Sequence, residues 1–399
     1  MHYIGIDIAK DTHYVAVVDA DEQIVVRGRP FKEDANGYAK LIALIEPLAD
    51  SAKTLVVMEA TGHYWQNLFG FLVGKGYPVA LINPIRSHHF AKEDLRRAKT
   101  DAADALMLAR FGRQKRPQTS SVPDESLDEL KEAVRLRDRL VQDLGDKVRQ
   151  LHHAVDVGFP EFTRHIKNLG TLKAVTVLKA FPSARKMAVL RRHVRVSRLV
   201  YDGRHSIGKE LAEALIAAAK RSVGSRSSET HHTNVVYLCE DIELLLKRIG
   251  RIDDDIERQV SSHELGSLLS QIDGVGPQTV ARVLSEVGDP ASFRSAAALA
   301  SYVGVVPNIR HSGRRKPARA GTDGFGNARL RSALWMPTLT AVRVNPWLRA
   351  FYQRLISKGK PKKLALIAAM RKLITAIYVV AKKRQPFVYE VPNSAESAC

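Results

Sequence analysis

Four acidic residues stand where acids are costly unless they have a partner. Asp7 lies in the apolar run Tyr3-Ile4-Gly5-Ile6-Asp7-Ile8, and Glu59 closes a second run, Leu55-Val56-Val57-Met58-Glu59. A carboxylate on an apolar strand is destabilising unless it is paired or binds a cation. Asp101 and Asp104 open the stretch Asp101–Gly112, whose Ala, Leu and Met content predicts a helix. Their i, i+3 spacing places both on one helix face, about 5–6 Å apart. Converging carboxylates repel one another, and a divalent cation relieves the repulsion. Oxygen-only ligands favour Mg²⁺ or Mn²⁺. Two such ions can activate a nucleophile and stabilise the leaving oxygen of a phosphodiester. Taken singly each acid has an ordinary reading: acids in a first helical turn, for example, simply complement the helix dipole. Their combination is what points to metal.

A second group of residues has phosphate chemistry. Leu268–Val287 places two helical patches around Asp273-Gly274-Val275-Gly276-Pro277, a helix-hairpin-helix pattern. Gly274 and Gly276 would let the backbone approach a phosphate, and the second helix would offer its N-terminal amides. Lys360, Lys362 and Lys363, in the run Lys358–Lys363, read as nucleic-acid contacts, as do Arg310, Arg314, Arg315 and Lys316 in a Gly/Arg-rich stretch. The paired histidines at 88–89, 152–153 and 231–232 have no Cys or Asp spacing that would support a zinc site.

The elements that must position these residues follow from hydrophobic period. His2–Ile8, His13–Val18 and Gln23–Arg29 predict three strands. Gly37–Asp50 predicts a helix, Thr54–Glu59 a buried strand, Tyr64–Gly76 a helix, and Tyr77–Ile82 a strand closed by Asn83-Pro84. With the helix at 101–112, the order is β-β-β-α-β-α-β-α, which implies a mixed α/β sheet domain. Two heptad-like seams come next. One runs from Leu127 to Val155 and the other from Val235 to Ile256. They predict long helices that pair with each other or with a second subunit, or else two ordinary amphipathic helices. The expected division is an α/β domain at 1–115, coiled-coil helices at 116–262 with an insertion near 160–233, and a mainly α domain at 263–399. The insertion shows no chemistry of its own, and 388–399 reads as a tail.

Charge selects the partner. The chain has 399 residues, with 62 Lys+Arg against 42 Asp+Glu and a net charge of +20. That balance calls for a polyanion, nucleic acid or an anionic membrane surface. The region from Ser301 to Cys399 holds 19 Lys+Arg and 3 Asp+Glu, leaving the first two-thirds nearly balanced. No stretch approaches the roughly 20 apolar residues of a membrane span, and the N-terminus shows no secretory signal. The only cysteines, Cys239 and Cys399, are too few for a disulfide framework. A cytoplasmic nucleic-acid partner, without membrane, is the simplest joint expectation.

The ordered motifs resemble one family. An acid on strand one, an acid on the fourth strand and two on the last helix follow the order of RNase H-like nucleases of the RuvC type. Tyr3–Lys10, Val57–Gly62, Asn83-Pro84, Lys99–Leu106, Ile272–Ala281, Ala300–Pro307, His311–Arg314, Arg329–Leu334 and Gly359–Met370 together resemble the DEDD transposases of bacterial insertion sequences, which are related to Piv-type DNA invertases. The resemblance spans nearly the whole chain except the stretch around 160–233. It implies that Asp7, Glu59, Asp101 and Asp104 are a DEDD set holding Mg²⁺, and that Ser312 is a serine nucleophile that becomes transiently joined to DNA. It also implies donor and target DNA as partners, a structured bridge RNA as guide, and a homodimer or homotetramer. Ser312 itself has no His/Asp relay around it in the sequence, although His311 is adjacent, and serine needs activation to attack.

Overall fold

A computed structural model of the chain describes residues 1–48, 51–93, 100–120, 125–306 and 326–389. It divides into two compact units, Met1–Pro123 and Asp124–Cys399.

The first unit is a five-stranded mixed sheet in the order β3-β2-β1-β4-β5. The strands are β1 (His2–Asp7), β2 (Thr12–Val18), β3 (Ile24–Lys32), β4 (Thr54–Glu59) and β5 (Val79–Ile82). β1 pairs antiparallel with β2 and parallel with β4, and β4 pairs parallel with β5. β3 lies on the edge, which is why it tolerates Pro30. The helices are α1 (Ala35–Ile45), α2 (Gln66–Gly74), α3 (Pro84–Glu93) and α4 (Asp101–Lys115). Hydrophobic period predicts no helix at α3. Its start is set by Asn83, whose Oδ1 accepts from the Ile85 N–H, and by proline at the first helical position.

Alternation along the strands sorts the two sheet faces. Ile4, Ile6, Val56 and Met58 pack with Leu41, Ile45, Leu68 and Leu72 of α1 and α2. Tyr3, Leu55 and Val57 pack with Phe90 of α3 and with Met107, Leu108 and Phe111 of α4. The sheet is therefore covered on both faces, as parallel pairing requires.

The second unit is helical. Two 34-residue helices, α5 (Glu125–Gly158) and α11 (Glu229–Ser262), run side by side. The ion pairs Arg137–Asp253 and Lys147–Asp241 fix them as antiparallel, since one number rises as the other falls. The helices that carry the two seams pack on each other within the chain. Between them lie α6 (Phe162–His165), α7 (Leu172–Ala180), α8 (Ala184–Ala188), α9 (Val194–Ser197) and α10 (Lys209–Lys220). These cap one end of the pair around a core that includes Phe159, Phe162, Leu178, Met187 and Leu215.

At the other end α12 (Glu264–Ser270), α13 (Pro277–Val287), α14 (Ala296–Val303), α15 (Ala328–Ala333), α16 (Trp335–Val344), α17 (Pro346–Ser357) and α18 (Lys362–Lys383) share a core with Leu130, Val134, Ile256 and Val260. By length and composition α18 could cross a membrane, contrary to the sequence expectation that no such stretch exists. Leu366, Met370, Leu373, Ile374 and Ile377 are buried at the centre of this core, which accounts for its apolar character.

Candidate active site

Strand parity places the first two acids. Asp7 shares the face of Tyr3, and Glu59 shares the face of Leu55 and Val57, so both belong to the α4 side of the sheet. β1 and β4 are neighbours in parallel register, Ile6 opposite Met58, so Asp7 and Glu59 end adjacent strands at the same edge.

Glycine then places the other two. A Cβ on Gly5 would lie 2.1 Å from the Ala105 carbonyl oxygen and 2.2 Å from the Ala109 nitrogen. The α4 backbone thus rests directly on β1, with no side chain between them. Farther along, Gly112 of α4 lies against Val57 and Tyr3. Gly112 over Tyr3 and Ala105–Ala109 over Gly5 mean that α4 runs antiparallel to β1. Its first turn, with Asp101 and Asp104, therefore falls at the Asp7 end. Thr100 caps that turn by accepting the Ala103 N–H.

The electrostatics follow from this placement. Burial, then the charges of Asp104, Asp101 and Glu59 in that order, push the Asp7 carboxyl up to about 6. The three other predicted acids therefore all act on Asp7. The donor set is oxygen only, which suits a hard divalent cation. Among the described residues, no three His, Cys, Asp or Glu groups stand close enough to form a ready-made metal site.

Two supports around the acids had no signal in the sequence. Ser87 on α3 is buried, and its Oγ lies 2.5 Å from Glu59 Oε2, while Thr61 Oγ1 donates to Glu59 Oε1 at 2.6 Å. Two hydroxyls thus clamp the Glu59 carboxylate. On the other side, His13 is fully buried behind the β1–β2 turn. The Ala9 N–H donates to His13 Nδ1 at 3.2 Å, so the ring proton sits on Nε2 and meets Glu33 Oε2 at 2.5 Å. Burial alone would raise the Glu33 carboxyl, but hydrogen bonds from Tyr38, His13 and Asn67 hold it below its usual range. This network fixes the turn that leads out of Asp7. A lone histidine on an apolar strand carries no pattern that would reveal it.

The predicted phosphate-contacting residues lie in the second unit. Gly274 has φ +91°, and a Cβ there would meet the Ala341 backbone at 2.6 Å, so close packing against α16 already requires its glycine. Gly276 faces open space at the N-cap of α13, which has no side-chain cap and has Pro277 in its first turn. It opens on a cleft of about 1180 Å³ whose lining includes Arg137, Gln278, Arg282, Arg329 and Thr340. Arg137 and Arg282 are already paired, with Asp253 and Asp138. Lys360, between α17 and α18, and Lys362 and Lys363, at the start of α18, are exposed. Arg310, Ser312, Arg314, Arg315 and Lys316 lie outside the described residues. The described residues flanking that segment meet: a Cβ on Gly326 would touch Gly304, and the Asn327 N–H donates to the Tyr302 carbonyl. Ala328 and Arg329, next along, line the cleft.

A family model described as a transposase of the DEDD type matches residues 4–160, and one described as Transposase IS116/IS110/IS902 family matches residues 266–353. The chain belongs to this transposase family. Similar proteins extend over nearly the full length. The pilin gene-inverting protein of Moraxella bovis is 27% identical over 96% of the chain and 97% of its own length. The mini-circle putative transposase for IS117 of Streptomyces coelicolor is 27% identical over 96% and 95%. The transposase for insertion sequence element IS1111A of Coxiella burnetii is 22% identical over 99% and 90%. The transposase chain is thus an enzyme of DNA cleavage and strand exchange, and its DEDD domain implies a divalent-metal requirement.

Proposed function

We propose that this transposase is a Mg²⁺- or Mn²⁺-dependent DNA recombinase with a serine nucleophile, guided by a structured bridge RNA. In this reading residues 1–115 are an RNase H-like, RuvC-type domain. Residues 116–262 are a coiled coil with its insertion, and residues 263–399 are a helix-hairpin-helix transposase domain. The observation that carries its metal-dependent part is the placement of Asp7 and Glu59 at the ends of adjacent parallel strands, with the first turn of α4 at the Asp7 end.

Asp7, Glu59, Asp101 and Asp104 would hold the metal, which would lower the cost of charge on the attacking and leaving oxygens. Ser87 and Thr61 hold the Glu59 carboxylate in one orientation, and the His13–Glu33 pair holds the turn after Asp7. The Ser312 oxygen would attack a DNA phosphorus. An Oγ–P bond forms as the hydroxyl gives up its proton, a P–O bond to the adjacent sugar breaks, and the freed sugar oxygen takes up a proton in turn. Arg310, Arg314, Arg315 and Lys316 would balance charge on that phosphate. Assembly as a homodimer or homotetramer would bring the two halves of the site together. Base pairing between guide and DNA would choose the sequence, while the protein reads backbone and shape.

Ser312→Ala tests the nucleophile. It should eliminate the covalent protein–DNA adduct and strand exchange while leaving DNA affinity unchanged. Recombination by the variant would remove the serine assignment and leave a water-using metal nuclease. Ser87→Ala should raise the Mg²⁺ concentration giving half-maximal cleavage by about 10–100-fold, with the maximal rate recovered at high Mg²⁺. An unchanged Mg²⁺ titration would remove its positioning role. The pilin gene-inverting relative favours a second reading, a site-specific invertase without RNA guidance. Recombination by protein and DNA alone, after ribonuclease treatment, would select it.

A further inference from the structure

The near-balance of charge over the first 300 residues is an average over opposites. Residues 160–228, the insertion between α5 and α11, hold 15 Lys+Arg against 4 Asp+Glu. The excess is concentrated in residues 185–209, which carry eight cations and one acid, Asp202.

All eight of these cations are exposed. Arg185, Arg191, Arg192, Arg198 and Arg204 have no hydrogen-bond or ion-pair partner for their side chains among the described residues. Lys186 reaches Glu229 at 3.3 Å, Lys209 lies 3.9 Å from Glu213, and Arg195 stacks over Phe181. Asp202 spends its charge on its own turn, accepting from the His205 backbone and ring.

The surface is built, not frayed. α8 and α9 both pack on α10. Met187, Val196 and Ile207 are buried beneath them, and a bridge between Val200 and Ser206 closes the following turn. Eight cations held on one small framework repel one another, so the arrangement gains most from a polyanion. Arginine predominates, and its planar fork suits phosphate oxygens. α8 and α9 have five and four residues, too short to lay an amphipathic helix on a membrane.

We propose that residues 185–209 form a second DNA-binding surface, contacting the phosphates of duplex DNA away from the reacting segment. The length of the helix pair supports a duplex as occupant. From Leu130, in the core beside α13, to Val155, in the insertion core, α5 rises about 38 Å. That is about one turn of B-DNA. The inference rests on the family's action on DNA and is independent of which residue is the nucleophile.

The full-length protein should be compared with the variant R191E/R192E/R198E on a 40-base-pair duplex by fluorescence anisotropy across a salt series. The variant should bind at least tenfold more weakly, with the slope of log K against log salt smaller by about 3, one for each phosphate that is no longer neutralised. Hydrogen exchange on the wild-type protein gives a readout that needs no variant: amides of residues 185–209 should slow when the duplex is added. Equal affinity and slope, or no protection of the segment, overturns the proposal. Loss of affinity for a structured RNA with duplex DNA binding retained also overturns it, by assigning the surface to RNA. A wild-type protein that binds no duplex DNA would instead sink the recombinase reading itself.

Discussion

Asp7→Asn should abolish DNA cleavage and still yield a protein more stable than the wild type at pH 7.5 without metal. The carboxyl is pushed up to about 6, so the folded state holds a proton that the unfolded chain has already released. Between about pH 4 and 6 the folded state binds more protons, and stability falls as pH rises through that window. Above pH 6 the full penalty of an ionised, half-buried Asp7 is present. Allowing for solvent screening, this amounts to about 1–2 kcal/mol. Asparagine keeps the shape and removes the charge. Melting curves at pH 4.5 and 7.5 check this: the variant's advantage should appear at the higher pH and vanish at the lower. Excess Mg²⁺ should reverse the order, raising the wild-type melting temperature more than the variant's. A destabilised Asp7→Asn protein at pH 7.5, or one that still cuts, would contradict the account.

Gly5→Ala should be among the most damaging single-methyl changes in the chain. Its φ is unexceptional, so the demand is for space: the added carbon would meet backbone atoms of Ala105 and Ala109 at 2.1–2.2 Å. Backbone cannot rotate away as a side-chain tip can, so α4 must lift from β1. The expected loss is about 3 kcal/mol or more, read by chemical denaturation. Even the fraction that folds should lose cleavage, because lifting α4 carries Asp101 and Asp104 away from Asp7. Ala16→Gly, on the neighbouring buried strand, tests whether any change in the sheet has this effect. It should weaken the fold without moving α4, and should keep the Mg²⁺ dependence of the wild type. A Gly5→Ala protein with wild-type stability and activity would refute the close approach of helix and strand.

The four acids are legible in the sequence because their surroundings are local. Asp7 and Glu59 end apolar runs, and Asp101 and Asp104 share one helical turn. The strand–helix order is legible for the same reason, since hydrophobic period is written in consecutive residues. Other features depend on partners distant in sequence. The helix α3 leaves little trace because its stretch, Pro84 to Glu93, is mostly polar and short. Ser87 and His13 look like ordinary residues until Glu59 and Glu33 are placed beside them. Gly274 reads as a phosphate contact, yet its missing side chain leaves room for Ala341, 67 positions away.

By itself, then, the sequence determined the chemistry available at the carboxylate centre. Acids on apolar strands and an acidic first helical turn follow from residue type and period alone. Only the tertiary structure decided that these acids fall on one side of the sheet, within electrostatic reach of Asp7. Strand parity turns Asp7 and Glu59 to one face, and the bare backbone of Gly5 lets α4 lie close enough to bring the other two. The same holds for charge. The chain's total of +20 is plain from composition, but the gathering of the eight cations of residues 185–209 on the insertion's outer surface depends on α8 and α9 packing against α10. Composition sums charges, whereas packing decides which of them face the same solvent.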